Sequence, residues 1–224
     1  MALKGNAFVA IWHDFDPEFE AEYEQWHTVE HMPERLGVPG FVFGRRYVNR
    51  SLDLYRYFTL YQGEELTSFN SPAYLERLNN PTPWSLKIHP HFRNFIRSAA
   101  EVTQSHGVGY AKNLTTIRIS TDNQDGLNHY LAANLAALSE RYGISGVHLG
   151  LSRAEVTNVE TEETKLRGTE LPYVFDALLM IEGFESEFVI EAAAEAARIV
   201  NESALGTVVD VLDYELGYAL ESQS

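Results

Sequence analysis

The chain has 224 residues, 45% of them apolar and none of them cysteine. That is enough apolar surface for a packed core, and it excludes a disulfide framework, a thiolate metal site and a cysteine nucleophile. The 32 acidic and 17 basic residues leave a formal net charge of −15, with no basic cluster to offset it. Nucleic acid is therefore not expected as a partner, because binding it rests on Lys and Arg displacing counterions from phosphates.

In chain order, Ala7–Trp12 reads as a first strand. The stretch from Pro17 to about Met32 reads as a helix, with Asp16 as its N-cap and Pro17 at the first helical position. Pro33 is expected to end or bend that helix just after His31. Phe41–Val48 and Leu54–Tyr61 are strands rich in aromatic and β-branched residues, joined by a polar turn over Asn49–Asp53. Ser71–Leu78 is a short helix, Trp84–Arg97 contains a further helical piece, and Glu101–Val108 closes the first half. The second half repeats the order: strand Leu114–Ser120, helix Gln124–Tyr142, strands Gly146–Glu155 and Tyr173–Ile181, helix Glu187–Val200 and strand Val208–Leu216. The start has no apolar run typical of a signal peptide, and no stretch approaches the ~18 apolar residues of a membrane span. A cytoplasmic location with no membrane partner is expected.

The two halves look like copies of one unit. Gly37–Gly44 aligns with Gly143–Gly150 at an offset of 106 residues, and Tyr61-Gln-Gly63 aligns with Ile181-Glu-Gly183 at 120. The polar stretch Thr157–Glu170 makes the second copy longer in one loop. Each copy has the order βαββαβ, the split βαβ of ferredoxin-like units. The fold class is α+β, with units over residues 1–111 and 112–224. Such a unit places its helices on one sheet face, so the other face needs cover, and two copies in one chain can cover each other.

The run from Trp26 to Glu34, Trp-His-x-x-Glu-His-x-Pro-Glu, is followed by Pro39-Gly-Phe-x-x-Gly-Arg-Arg-Tyr47. It resembles the motif of small bacterial proteins of the dimeric α+β barrel superfamily, which includes EthD-like proteins, antibiotic-biosynthesis monooxygenases, muconolactone isomerases and haem-binding relatives. The resemblance implies a tandem fused repeat forming an intramolecular pseudo-dimer, with a pocket between a sheet and its helices. A further homodimer is compatible with it.

The candidate site gathers in this stretch. His27 and His31 are four apart and share a helix face. Histidine exchanges protons near neutral pH, so both are candidate acid–base groups, with Glu30 to orient or charge-couple an imidazole. Tyr23 and Trp26 would form an apolar ligand wall, and Glu34 lies at the helix end. The duller reading is a hydrogen-bonded network of these groups that pins the helix to Arg45 or Arg46. Those two arginines point to opposite faces of their strand, so only one can face the pocket. Phe41, Phe43, Arg45 and Tyr47 are expected on one face. His13 could reach the pocket mouth, and Tyr57 lines either the pocket or the core. His27-Thr-Val-Glu30-His31 also matches the H-x-x-E-H zinc pattern, but no third ligand is visible, and no metal is expected. His89-Pro-His91 reads as loop packing. At the offset of 106, Trp26, His27, His31 and Arg45 map onto Ala132, Ala133, Ala137 and Leu151, which places the site in the first half alone.

The expected function is a small-molecule pocket protein that needs no cofactor. The first reading is an oxygenase, isomerase or lyase using histidine acid–base chemistry on a small aromatic or cyclic metabolite. The alternatives are a non-catalytic binding or sensing module for a hydrophobic small molecule, and a haem-binding protein.

Overall fold

The computed structural model describes residues 3–157, 159–167 and 175–223. Eight strands close into a barrel in the order β1-β3-β2-β8-β5-β7-β6-β4. They are β1 (Ala7–Phe15), β2 (Phe41–Val48), β3 (Tyr57–Gly63), β4 (Phe92–Gly107), β5 (Asn113–Ser120), β6 (Ile144–Ser152), β7 (Ala177–Gly183) and β8 (Thr207–Glu221). Every neighbouring pair is antiparallel. The first half supplies β4-β1-β3-β2 and the second β8-β5-β7-β6; β2 pairs with β8 and β4 with β6 to close the ring. The chain thus has the α+β barrel expected of a fused pseudo-dimer. No helix among the described residues is long and apolar enough to cross a membrane.

Alternation along the strands separates two environments. Phe8, Ala10, Trp12, Phe58, Leu60, Leu178 and Met180 face the barrel interior, where they form one core cluster. The opposite faces carry helices. On the second half α5 (Gln124–Ser139) and α8 (Ser186–Glu202) cover a core of Ile117, Leu131, Leu149, Leu179 and Ala193. On the first half a broken helix lies over the sheet: α1 (Glu20–Trp26), a π-helical turn (His27–His31) and α2 (Met32–Leu36). Short helices α3 (Pro72–Asn79) and α4 (Pro83–Ile88) follow at its flank.

Several expected boundaries move, each for a local reason. The helix does not end at Pro33 but runs on to Leu36. A proline ring presses on the carbonyl four residues back, and the wider π turn, in which Met32 N–H donates to the His27 carbonyl five residues back, absorbs it. The third strand starts at Tyr57 rather than Leu54, because Tyr55 adopts φ 61°, outside the extended region. The last strand of the first half starts at Phe92 and runs 16 residues. Tyr173 and Val174, placed in a strand by the sequence, lie outside the described residues; that strand begins at Ala177.

The structural offset between the halves also differs from the one read in the sequence. Gly40 and Gly143 have matching left-handed φ of 90° and 89°, an offset of 103. Their carbonyls accept equivalent bonds from Glu64 N and Phe184 N. Gly63 and Gly183 then pair with Phe41 and Ile144, again 103 apart. Before the π turn the helices match one residue further out, so that Tyr23 and His27 correspond to Leu127 and Leu131. After it Met32 and Arg35 correspond to Leu135 and Leu138, all buried. The one-residue change is the extra residue of the π turn. The alanines Ala132, Ala133 and Ala137 lie instead on the exposed side of α5.

A β-bulge in β2 shifts the register between Phe41 and Phe43. Phe41 therefore packs under the helix with Met32 and Leu36, whereas Phe43, Arg45 and Tyr47 turn into the barrel. There Arg45, fully buried, donates from Nη1 to Glu182 of β7 at 2.7 Å. His148 Nε2 stands 3.6 Å from the other Glu182 oxygen. At the opposite end of the interior Arg118 lies between the rings of Trp12 and Tyr55 and pairs with Asp210.

Because Arg45 and Glu182 join the two halves in a buried interior, removing one partner leaves an unpaired buried charge. Arg45→Leu should lower unfolding stability by roughly 3–5 kcal/mol, whereas Arg45→Met with Glu182→Leu should recover most of that loss. Chemical denaturation of the single and double variants checks this.

Candidate functional site

The outer face of the first-half sheet does not pack tightly against its helices. A cavity lies there, with Ile11, His13, Thr59, Tyr61, Phe95 and Arg97 of β1, β3 and β4 as its floor. Trp26, His27, His31 and Arg35 form its roof, and Tyr74, Leu78 and His89 its walls. The far side is closed by the second half: Thr157, Val159, Thr161, Glu163, Thr164 and Arg167, from the segment carrying α6 (Ala154–Thr157) and α7 (Glu162–Arg167). About 50 Å³ is open to the centres of water-sized atoms. At roughly 10–15 Å³ for each such centre this is room for about four of them, about a third of the ~150 Å³ of an apolar cavity that holds benzene.

The π turn sets the roof. It presents His27 and His31 to the same cavity with ring centroids 5.5 Å apart, and His31 lies against the Trp26 ring at 4.3 Å. The Nδ1 atoms of both histidines are enclosed and have no hydrogen-bond partner among the described residues. His27 Nε2 is 3.4 Å from the Tyr61 hydroxyl. Where that nitrogen carries the proton and donates to the tyrosine oxygen, Nδ1 keeps its lone pair. Burial first, then the charges of Arg46, His13 and Arg35, push His27 well below the ordinary histidine value. Burial and Arg35 do the same to His31. Both are neutral at pH 7.

His13 faces the cavity but is already engaged. Its Nδ1 bonds the Asp14 carbonyl at 3.2 Å and its Nε2 the Tyr23 hydroxyl at 2.9 Å, with Tyr57 stacked on the ring. Burial lowers it to about 3. At the other end Arg35, 2% exposed, donates to Glu163 across the boundary between the halves. Glu163 also has His89 Nε2 at 3.8 Å and Arg167 at 3.6 Å. Burial works to raise the Glu163 carboxyl, but Arg35, His89 and Arg167 outweigh it and hold it below the usual range. Burial lowers His89 to about 4 against the pull of Glu163.

Of the residues named from the sequence, His13, Trp26, His27 and His31 line the cavity, and Tyr23 stands behind His13. The others do not reach it. Glu30 turns away from both histidines, accepting from Trp26 Nε1 at 3.2 Å and from Thr82 Oγ1, so it does not orient an imidazole. Glu34 sits beside Arg35 at 3.5 Å, outside the lining. Tyr57 donates to Glu20 and Glu24 at the helix surface. Arg46 faces the helix, but its Nη1 is held by the Glu24 carbonyl and Thr28 Oγ1, both at 3.1 Å. Arg45 is in the barrel interior, on the other side of the sheet.

Six contributors were not found from the sequence. Tyr61 and Thr59 share a β3 face with Tyr57, so alternation could have located them. Arg35 lies inside the motif. His89 was read as loop packing. Glu163 and Arg167 carry no local signal, because only the tertiary fold brings them over the first-half sheet.

No protein-family model and no curated protein matches this sequence. Solved structures do match in shape. An anthrone oxidase-like protein superposes with a TM-score of 0.62 at 11% identity, covering 97% of this chain and 93% of its own. A chlorite dismutase from Candidatus Nitrospira defluvii gives 0.60 at 11%, over 96% and 92%. A candidate monooxygenase from Fusobacterium nucleatum gives 0.57 at 8%, over 99% and 97%. This chain therefore shares their dimeric α+β barrel fold along nearly its whole length.

The neutral buried histidines make stability depend on pH in a defined direction. Their folded values lie below the ordinary 6.5, so between that value and the folded one the unfolded chain binds more protons. Their contribution is complete above about pH 6.5 and is lost as pH falls toward about 4 for His89 and about 3 for His13. Urea midpoints should decline from pH 7 to 5, before most carboxylates titrate, and His89→Gln should flatten part of that slope. A midpoint constant over this range would contradict the neutral state of the histidines.

Proposed function

We propose that this cavity is the active site of a cofactor-independent enzyme that begins by removing a proton from a small ring compound. The observation that carries the reading is the pair of enclosed imidazoles, His27 and His31, which line one small cavity and whose Nδ1 atoms have no hydrogen-bond partner among the described residues. A buried neutral imidazole is available as a base at neutral pH, and its conjugate acid is strong. Such a base takes a proton only from an already acidic group, such as a phenol or a carbon flanked by carbonyls. The imidazole nitrogen would accept the proton, the electron pair would stay on the substrate, and the imidazolium would return the proton at another position in an isomerisation. An oxygenase or lyase would start with the same step. The names of the anthrone oxidase-like protein and the monooxygenase that share the fold are consistent with this reading.

The aromatic lining suits an apolar, flat group: Trp26, Tyr61, Tyr74, Phe92 and Phe95 offer faces and edges to what enters. A haem macrocycle does not fit the enclosed space beside His27 and His31.

Proton NMR in D₂O tests the proposal. Cyclic 1,3-dicarbonyls should exchange their acidic carbon-bound protons faster with the protein than without it. A general base contributes roughly 10²–10⁴-fold, so His27→Ala or His31→Ala should remove at least a hundredfold of the acceleration. Exchange left undiminished in both variants would discard histidine catalysis, and binding of a ring compound without any exchange would favour a sequestering or sensing protein.

A further inference from the structure

One side of the cavity is closed by a piece of chain that is held differently from the rest of the boundary. The floor belongs to the closed barrel, whose strands are hydrogen-bonded on both edges. The roof helix is fixed by apolar packing, with Tyr23, Trp26, Met32 and Leu36 all buried, and the α3 wall by Tyr74 and Leu78. Residues 159–167, from the second half, have two apolar members, Val159 and Leu166, and both are only partly buried. The buried residues of this segment are polar, Thr161 and Glu163. Its origin is an asymmetry of the repeat: β2 and β3 are joined by residues 49–56, whereas β6 and β7 are joined by residues 153–176.

Polar contacts hold the segment down. Glu163 accepts from Arg35 Nη2 of the roof, and His89 Nε2 stands 3.8 Å from its other oxygen. Arg167 lies 3.6 Å from Glu163, 3.3 Å from His89 Nδ1 and 4.2 Å from the centre of the Phe95 ring. Glu162 N donates to Asn79 Oδ1 at the end of α3. Arg35 has a second carboxylate, Glu34, at 3.5 Å, so it keeps a partner when Glu163 leaves. The first turn of α7 is capped from within the segment, Thr161 N donating to Thr164 Oγ1 at 2.9 Å and Thr164 N to Thr161 Oγ1 at 3.3 Å. The chain is anchored just before it, where Ala99 N donates to Thr157 Oγ1 and Arg97 Nη1 to the Thr157 carbonyl, both at 3.0 Å.

Apolar and polar contacts differ in what their release costs. Unpacking an apolar surface exposes it to water with no compensation. Separating a buried ion pair loses the attraction but returns both charges to water, and the two terms are of similar size. Residues 159–167 are therefore the part of the boundary that opens at least cost. About 50 Å³ is open in the closed cavity, beside ~150 Å³ for an apolar cavity that holds benzene, so a ring enters only if a wall withdraws. We propose that residues 159–167 form a lid, supplied by the second half to the site of the first and latched by Glu163 on Arg35, whose withdrawal admits the ligand and enlarges the space beneath it. This rests on the cavity being the site that takes a ring compound, and adds how such a compound reaches the histidines.

The chain has no cysteine, so one introduced thiol reports on opening without any ligand. Thr59→Cys places the thiol in the cavity floor and Thr116→Cys places it in the barrel interior, both at buried positions. Each is labelled with iodoacetamide in the whole chain and followed by mass spectrometry. Adding Glu163→Gln should raise the rate at position 59 by about tenfold or more and leave position 116 unchanged, because local opening bares the floor while the interior is reached only by global unfolding. A second variant pins the lid instead of freeing it, and decides the matter where Glu163→Gln does not fold. Asn79→Cys with Glu162→Cys, oxidised to a disulfide in the Thr59→Cys background, should slow labelling at position 59 by a similar factor. No acceleration from Glu163→Gln, equal acceleration at both positions, or labelling of position 59 at full rate in the pinned chain would each overturn the lid. Because no substrate is used, the outcome is separate from that of the proton-exchange experiment. The expected labelling without proton exchange would support the lid while discarding the histidine chemistry, and the reverse would discard the lid alone.

Discussion

A four-stranded sheet with its helices on one face leaves a second apolar face that water must not reach, and the architecture follows from satisfying that constraint. Here the second copy of the same unit meets it. The pairing of β2 with β8 and of β4 with β6 removes every sheet edge as well as covering both inner faces. The interior that results is filled by Trp12, Phe8, Phe58, Tyr47 and Tyr214. It also contains the Arg45–Glu182 pair, whose partners come from different halves. Closure thus makes the halves interdependent, and it frees the two outer faces to differ.

They differ in what lies under their helices. In the second half the buried positions of α5 are Leu127, Leu131, Leu135 and Leu138, which fill the space against the sheet. In the first half the corresponding helix presents Tyr23, His27, Met32 and Arg35, and the π turn inserts one further residue. Polar and aromatic side chains with fixed hydrogen-bonding needs cannot pack as closely as leucines, and the cavity lies where they meet. The second half nevertheless contributes to it. Glu163 binds Arg35, and Thr157 bonds the Ala99 amide and accepts, through its carbonyl, from Arg97. A covering sheet and a closing segment therefore both come from the copy that lacks the histidines.

Much of the fold was legible because it rests on local periodicity. The apolar run of β1, the aromatic and β-branched runs of β2 and β3 and the cap at Asp16 locate elements within a few residues. The places where reading failed are those where one residue breaks the period. Tyr55 leaves the extended region, the bulge after Phe41 reverses which face it occupies, and the π turn carries the helix past Pro33. The repeat was visible, but glycine spacing alone chose an offset of 106. The backbone shows 103, because Gly40 and Gly143 share the left-handed conformation and the same bonding role. The inference that the second half lacks the histidine cluster survives the correction, with Leu131 rather than Ala133 at the position equivalent to His27.

By itself, the sequence determined the element order, the duplication and the stretch in which His27 and His31 would be found, since these depend on side-chain pattern over a few neighbouring residues. Only the tertiary structure decided which side of the sheet each arginine occupies, that Glu30 serves Trp26 and Thr82 instead of a histidine, and that Arg35 meets Glu163, 128 residues away in the chain. The physical reason is the same in each case. A contact between distant segments depends on register, bulges and closure of the whole barrel, and no local pattern of residues encodes it.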